Sequence, residues 1–267
     1  VPKKSSRTVP TDPRLYRAEV IASYDLTPSL RRVTAGGDGL KDFPWMGYDH
    51  WFRLFLRRPH QGQFVLPELS GTKWYKEFLA IPEHARPHCA NYTVADYRPE
   101  TGEIDIDFVI HRGADGSLEG GAAIWACSVE PGDEFAFLDQ GIIFDRPDDA
   151  SEVLLVADES GLPAVAGILR SLPHDTVGRV IQEVPTHLDR RDLPRPAGVD
   201  ISWVVRDDSN LVAGVKTLAA LKEYPPLDPN GYGFVVGESK LATEGRRQLH
   251  RLGLPKDRIT FSGFWKH

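Results

Sequence analysis

Residues 153–164 read Val153-Leu154-Leu155-Val156-Ala157-Asp158-Glu159-Ser160-Gly161-Leu162-Pro163-Ala164. The apolar run that ends at Ala157 predicts a fully buried strand over 152–157, and a helix follows over 162–171. Downstream, strand-like runs at 177–184, 200–205, 232–236 and 258–261 are separated by helical periodicity over 211–222 and 240–251. Strands spaced by helices predict a parallel sheet with right-handed crossovers.

Upstream of the quoted stretch the pattern is different. A polar bridge, Asp145-Arg146-Pro147-Asp148-Asp149, separates it from short strand-like runs at 15–24, 30–34, 50–56, 91–97, 104–110 and 134–138. The clearest is Glu103-Ile104-Asp105-Ile106-Asp107-Phe108-Val109-Ile110, whose alternation puts Ile104, Ile106 and Phe108 on one face. Arg98-Pro99-Glu100-Thr101-Gly102 before it has the proline and glycine of a tight connection. Successive strands of this kind predict a six-stranded type of antiparallel β-barrel. The fold class expected is thus an N-terminal antiparallel β-barrel followed by an α/β parallel-sheet domain. Residues 1–13 read as a disordered lead-in, 14–147 as the barrel and 148–267 as the α/β domain.

The bulk composition agrees with two globular domains. A chain of 267 residues exceeds the size at which one core stops growing, and 41% hydrophobic with 26% charged residues is ordinary for folded proteins. The net charge of −6 comes without any long like-charged run, which argues against nonspecific nucleic-acid binding. Nine histidines lack metal-ligand spacing, and Cys89 and Cys127 are too few for a disulfide framework. Both are expected to be free thiols. No apolar run approaches the ~20 residues of a membrane span, and the first fourteen residues lack the apolar core of a signal peptide. A cytoplasmic location, with no membrane or metal, is the expectation.

Four segments carry chemistry. The first is Asn91-Tyr92-Thr93-Val94, followed by the strand that runs through Asp107-Phe108-Val109-Ile110 to His111. The second is Gly120-Gly121-Ala122-Ala123-Ile124-Trp125-Ala126, leading to the turn Pro131-Gly132-Asp133. Small residues opening a helix suit a phosphate, because free backbone N–H groups and the helix dipole point at the anion. The third is the quoted stretch, whose Asp158, Glu159 and Ser160 fall at the carboxyl edge of a strand, where open α/β sheets bind ligands. Ser160 with nearby carboxylates is equally good helix-capping chemistry. The fourth comprises Val235-Val236-Gly237-Glu238 and the terminal Ser262-Gly263-Phe264-Trp265-Lys266.

In this order and spacing the four segments resemble the siderophore-interacting family of ferredoxin-reductase-like flavoproteins. The resemblance spans residues 14–267. It implies an FAD-binding barrel and an NAD(P)H-binding domain, with the inter-domain cleft as the site. NADPH or NADH would reduce FAD, and reduced FAD would reduce a ferric siderophore to release iron(II). It implies that Tyr92 and Thr93 face the flavin and that His111 lies by its diphosphate or adenine part. Gly120, Gly121 and Ala122 would supply N–H donors to the diphosphate, with Trp125 in the core. Asp158, Glu159, Ser160, Gly237, Glu238 and Trp265 would form the nicotinamide site. A basic rim for an anionic ferric complex could draw on Arg53, Arg57, Arg58 and Lys73.

The chain departs from the family at one end of the flavin site. Ala90 stands where the family usually has an arginine, Ala95 and Asp96 replace basic residues, and Ala123 replaces a serine. Arg86, Arg98 and Arg112 are the candidates to compensate. The departures keep a second reading open: a flavin-fold protein that has lost FAD redox function and binds or rearranges another small molecule.

Overall fold

A computed structural model describes residues 7–68, 74–113, 115–208 and 210–267. Residues 1–6 of the expected lead-in, and Lys73, lie outside the described residues. The described chain divides into two compact units, one of Val9–Met46 with His50–Gly141, the other of residues 7–8, Gly47–Asp49 and Ile142–His267.

The first unit contains β1 (Leu15–Thr27), β2 (Leu30–Gly36), β3 (Trp51–Leu56), α1 (Trp74–Ala80), β4 (His88–Thr93), β5 (Asp96–Arg98), β6 (Glu103–Val109), β7 (His111–Arg112), β8 (Leu118–Glu119), α2 (Gly121–Ser128) and β9 (Glu134–Gly141). Seven of its strands form one antiparallel sheet in the order β4-β3-β9-β1-β2-β6-β5. The expected count of six fails at 91–97, where one predicted strand is two. The Val94 N–H bonds to the His50 carbonyl and the Ala95 N–H to that of Asp105, so the chain leaves β3 and joins β6 within two residues. Periodicity cannot show that change, because both residues are apolar and buried.

The larger core lies on the inner face of this sheet, and a smaller one of Phe55, Phe78, Ala136 and Leu138 lies on the other. Ile104, Ile106 and Phe108 enter the larger core from β6, as the alternation predicts, and meet Phe135 and Phe137 of β9, Val33 of β2 and Phe52 of β3. Each fully buried side chain of this size contributes roughly 1.5–3 kcal/mol. The acidic positions between them are also buried. Asp107 accepts two bonds from Arg32, at 2.7 and 2.9 Å. Asp105 accepts two from Arg98, both at 2.9 Å, and one from Thr34 at 2.7 Å. The acidic positions form an ion-pair ladder across β2, β5 and β6.

The second unit contains β10 (Val153–Ala157), α3 (Leu162–Ser171), β11 (Val177–Val184), β12 (Gly198–Val205), α4 (Val215–Lys222), β13 (Tyr232–Glu238), α5 (Ser239–Arg251) and β14 (Ile259–Trp265). All strands are parallel, in the order β12-β11-β10-β13-β14. β10 is central and every residue in it is buried, which is why it reads as an unbroken apolar run. The order reverses between β10 and β13, the topological switch point where such sheets take ligands. Gly167 of α3 is fixed by packing, since a Cβ there would lie 2.0 Å from the Tyr48 carbonyl oxygen. Among the described residues no helix is long and apolar enough to cross a membrane. Cys89 and Cys127 are free and half-buried.

Candidate functional site

At the switch point the carboxyl ends of β10 and β13 are tied together by Asp158. One carboxylate oxygen accepts the Ser160 N–H at 2.9 Å and its hydroxyl at 2.5 Å, and the other accepts the Glu238 N–H at 2.6 Å. Gly237 lies at φ +129°, where a Cβ would sit 2.5 Å from the Asp158 carboxyl. Only glycine fits. Glu238 then caps α5, accepting the Lys240 and Leu241 N–H groups at 2.6 and 3.3 Å. The Ser239 hydroxyl donates to the Trp265 carbonyl at 2.7 Å, which fixes the end of β14.

Glu159 is also buried and carries a second network. Arg206 donates to both Glu159 oxygens, at 2.9 and 2.7 Å, and to Glu183 at 2.8 Å. Glu183 further accepts the N–H groups of Gly214 and Thr217 and the Thr217 hydroxyl, at 3.0, 3.0 and 2.9 Å. Burial, and then the Glu159 charge, push the Asp158 carboxyl up to about 7, against the pull of its hydrogen bonds. Asp158, Glu159, Ser160, Gly237, Glu238 and Trp265 are therefore gathered at one sheet edge, but their carboxylates are spent on the scaffold. Ser160 and Trp265 are half-buried. Arg206 and Glu183 were missed by sequence reasoning. The available signal was a glutamate inside the apolar run 177–184 and an arginine just past the next strand.

In the first unit the candidate residues lie along β4 and around the start of α2. The register pairs His88, Ala90 and Tyr92 with Leu56, Leu54 and Phe52, all core residues, so these three share the inner face of the edge strand. The Tyr92 ring packs at 4.6 Å on Phe108, and burial raises its hydroxyl well above the usual phenol range. Thr93 is buried and pairs with Trp51 across the strands. Trp125 packs on Phe108 and Phe135 at 5.7 and 5.6 Å, in accord with a core role.

His111 is exposed and pairs with Glu119 in the β7–β8 hairpin, which leads straight into Gly120. Gly120 has φ +87° with open space where a Cβ would be, and no side chain caps α2. Gly121 brings its backbone against His88, a Cβ there being 3.3 Å from Nδ1. Ala122 and Ala123 are buried. An uncapped helix start behind an open glycine, against His88 on the strand face that also carries the half-buried Tyr92, fits a ligand that has both a ring and phosphate.

The siderophore-interacting FAD-binding domain family matches residues 19–142, and the siderophore-interacting protein family matches residues 150–267. The chain belongs to the siderophore-interacting protein family. It is 30% identical to the ferric vibriobactin reductase ViuB of Vibrio cholerae over 95% of this chain and 89% of that protein. The NADPH-dependent ferric-chelate reductase of Escherichia coli is 26% identical over 96% and 95% of the two chains. Among solved structures, a siderophore utilization protein from T. fusca superposes with a TM-score of 0.82 at 25% identity, over 98% of this chain and 97% of that one. The fold is ferredoxin-reductase-like.

Within this siderophore-interacting protein, the arginines expected to compensate for Ala90 are mostly committed elsewhere. Arg98 is held by Glu103 and Asp105, each at 2.9 Å. Arg86 donates to the Leu79 and Ile81 carbonyls at 2.7 and 2.9 Å. Arg112 stays on the exposed hairpin, donating to the Gly116 carbonyl at 3.2 Å. Ala95 is buried where the strand changes partner, so a basic side chain there would have to be buried too. Of the expected rim, Arg53 stacks on Trp51 and Trp74 at 5.3 and 4.5 Å and donates to Asn91 at 2.9 Å. Arg57 and Arg58 line a cavity of about 170 Å³ with Pro59 and Trp125.

Proposed function

We propose that this chain is an FAD-dependent reductase that takes reducing equivalents from NADPH or NADH and reduces iron(III) held by a siderophore. The observation that carries the reading is the uncapped start of α2 behind Gly120, set against the face of β4 that carries Tyr92, in a unit of the siderophore-interacting FAD-binding type. Bound FAD would supply the chemistry, accepting a hydride and passing electrons on singly. The chain's own residues hold and orient: the N–H groups of Gly121, Ala122 and Ala123 for the diphosphate, Tyr92 for the ring system, and the edge around Ser160 and Trp265 for the nicotinamide. The names of the Vibrio and Escherichia relatives support the ferric substrate, and the latter favours NADPH.

The substrate is a ferric complex in which hard oxygen donors hold iron(III). Iron(II) is bound less tightly by such donors, so one electron is enough to release it. The test is anaerobic turnover: FAD-loaded protein, NADPH and a ferric hydroxamate or catecholate siderophore, with a chelator that colours only with iron(II). NADPH-dependent colour that needs both protein and FAD is the expected result. Protein that binds FAD yet yields no iron(II) with any siderophore class would remove the ferric substrate from the reading.

A second reading has one observation in its favour. Ala90 leaves the inner face of β4 without the guanidinium that normally grips a diphosphate, and Arg86 and Arg98 are engaged elsewhere. A chain that takes up no FAD would instead use this face for a different small molecule.

A further inference from the structure

His88 stands two residues before Ala90 on the same inner face of β4. Its imidazole is the side chain nearest to the space beside Gly121, where a Cβ would meet Nδ1 at 3.3 Å, Cε1 at 3.5 Å and Cγ at 3.7 Å. The ring is half-buried, and neither nitrogen has a hydrogen-bond partner among the described residues. An unpartnered imidazole beside uncapped helix N–H groups, on the strand face that has lost an arginine, is placed to meet the same anion those groups attract.

We propose that His88 supplies the cationic contact to the FAD diphosphate that Ala90 cannot, so that FAD binding takes up a proton. The proposal rests on the FAD reading given above.

The surroundings set the direction of the effect. Burial, and then the charge of Arg58 in the segment after β3, lower the His88 pKa, so without an anion the ring tends to be neutral. From α2 the only titratable group is Cys127, and from β3 it is Arg53, which bonds to Asn91 on the opposite face. On β6, Asp105 and Asp107 are taken up by Arg32 and Arg98, and Glu103 by Arg98. Glu119 lies on the hairpin before Gly120, paired with His111. A dianionic diphosphate reverses the balance and stabilises the imidazolium, raising its pKa in the complex. Between the free and bound pKa values the complex holds one more proton than the free partners, so affinity rises as pH falls through that window.

The test is calorimetric titration of FAD into the wild-type chain in two buffers of different ionisation enthalpy, repeated from about pH 8 to about pH 6. The expected result is uptake of up to one proton per FAD and a Kd several-fold to about tenfold tighter at the acid end. Riboflavin, which has no phosphate, should bind without that pH dependence. His88→Ala and His88→Gln should each weaken FAD binding by roughly tenfold or more at the acid end and flatten the profile. Ala90→Arg placed in the His88→Ala background should restore affinity at every pH, which also shows that the variant is folded. FAD binding that takes up no proton and is unchanged by His88→Gln would overturn the proposal and leave the flavin reading standing. A wild-type chain that binds no FAD at any pH would overturn the flavin reading itself.

Discussion

The two halves of this chain keep their family signatures in different ways. In the α/β half the Asp158-Glu159-Ser160 and Gly237-Glu238 segments are intact, and nearly every polar atom in them is used internally. Asp158 joins two strands, Glu238 caps a helix, and Glu159 shares Arg206 with Glu183. In the β half, the polar groups best placed for a ligand are those the fold leaves unused: the start of α2, and His88. The motif residues of the α/β half thus serve the scaffold, whereas Ala90, where the family resemblance implies an arginine, sits in a regularly paired strand. The β half has its own ion-pair ladder, but that ladder lies on the face away from the core, and of the residues expected at the flavin site it takes up only Arg98, a candidate to compensate for Ala90.

Substitutions in the two halves should therefore differ in kind. The largest effect belongs to Arg206→Met, which leaves Glu159 and Glu183 buried without their cation. Chemical denaturation should show a loss of about 3–5 kcal/mol, and a near-neutral result would mean that the network is not structural. Gly237→Ala should cost more than about 2 kcal/mol, because its Cβ has no room beside Asp158 and φ is +129°. In the other half Ala90→Arg should leave thermal stability nearly unchanged while tightening FAD binding by roughly tenfold or more, read by flavin fluorescence. Loss of stability with no gain in affinity would break the contrast between the halves.

Smaller effects refine it. Asp158 holds its proton up to about 7 in the folded chain, against an ordinary carboxylate value of 3.8. The folded state therefore binds the extra proton between those values, and stability is lost as pH rises through the window. One such group makes the protein about 1.4 kcal/mol more stable at pH 6 than at pH 8. Asp158→Asn should remove that part of the slope, whatever it costs in absolute stability. Smallest of all, Asp25→Ala removes an exposed partner of Arg31 outside both networks, and should change stability by less than about 0.5 kcal/mol.

Much of the fold is visible in the sequence. The buried run 153–157 and its succession of helices and strands give the parallel sheet, since a strand buried on both faces cannot alternate. The helix expected from Leu211 begins at Val215, after Gly214 turns the chain at φ +85°. The β half is legible where one face is apolar, as at Ile104, Ile106 and Phe108, and fails where the chain switches partner at Val94 and Ala95. It also fails at α1, which no sequence signal announced. Of the candidate site, the gathering of Asp158 to Ser160 with Gly237, Glu238 and Trp265 could be anticipated from strand ends. That Arg206 and Glu183 complete the network could not, because their pairing depends on which strands are neighbours. His88 was passed over because a lone histidine in a strand carries no spacing signal; its meaning comes from Gly121 across the fold.

The central claim is that this is a working flavoprotein with an altered diphosphate grip. The most direct measurement is the visible absorption spectrum of the purified chain at equilibrium with FAD, before and after anaerobic addition of NADPH. The account predicts flavin bands shifted from those of free FAD, then bleached by NADPH at a rate that depends on the protein. A spectrum identical to that of free FAD, or protein-bound FAD left untouched by both NADPH and NADH, would contradict it.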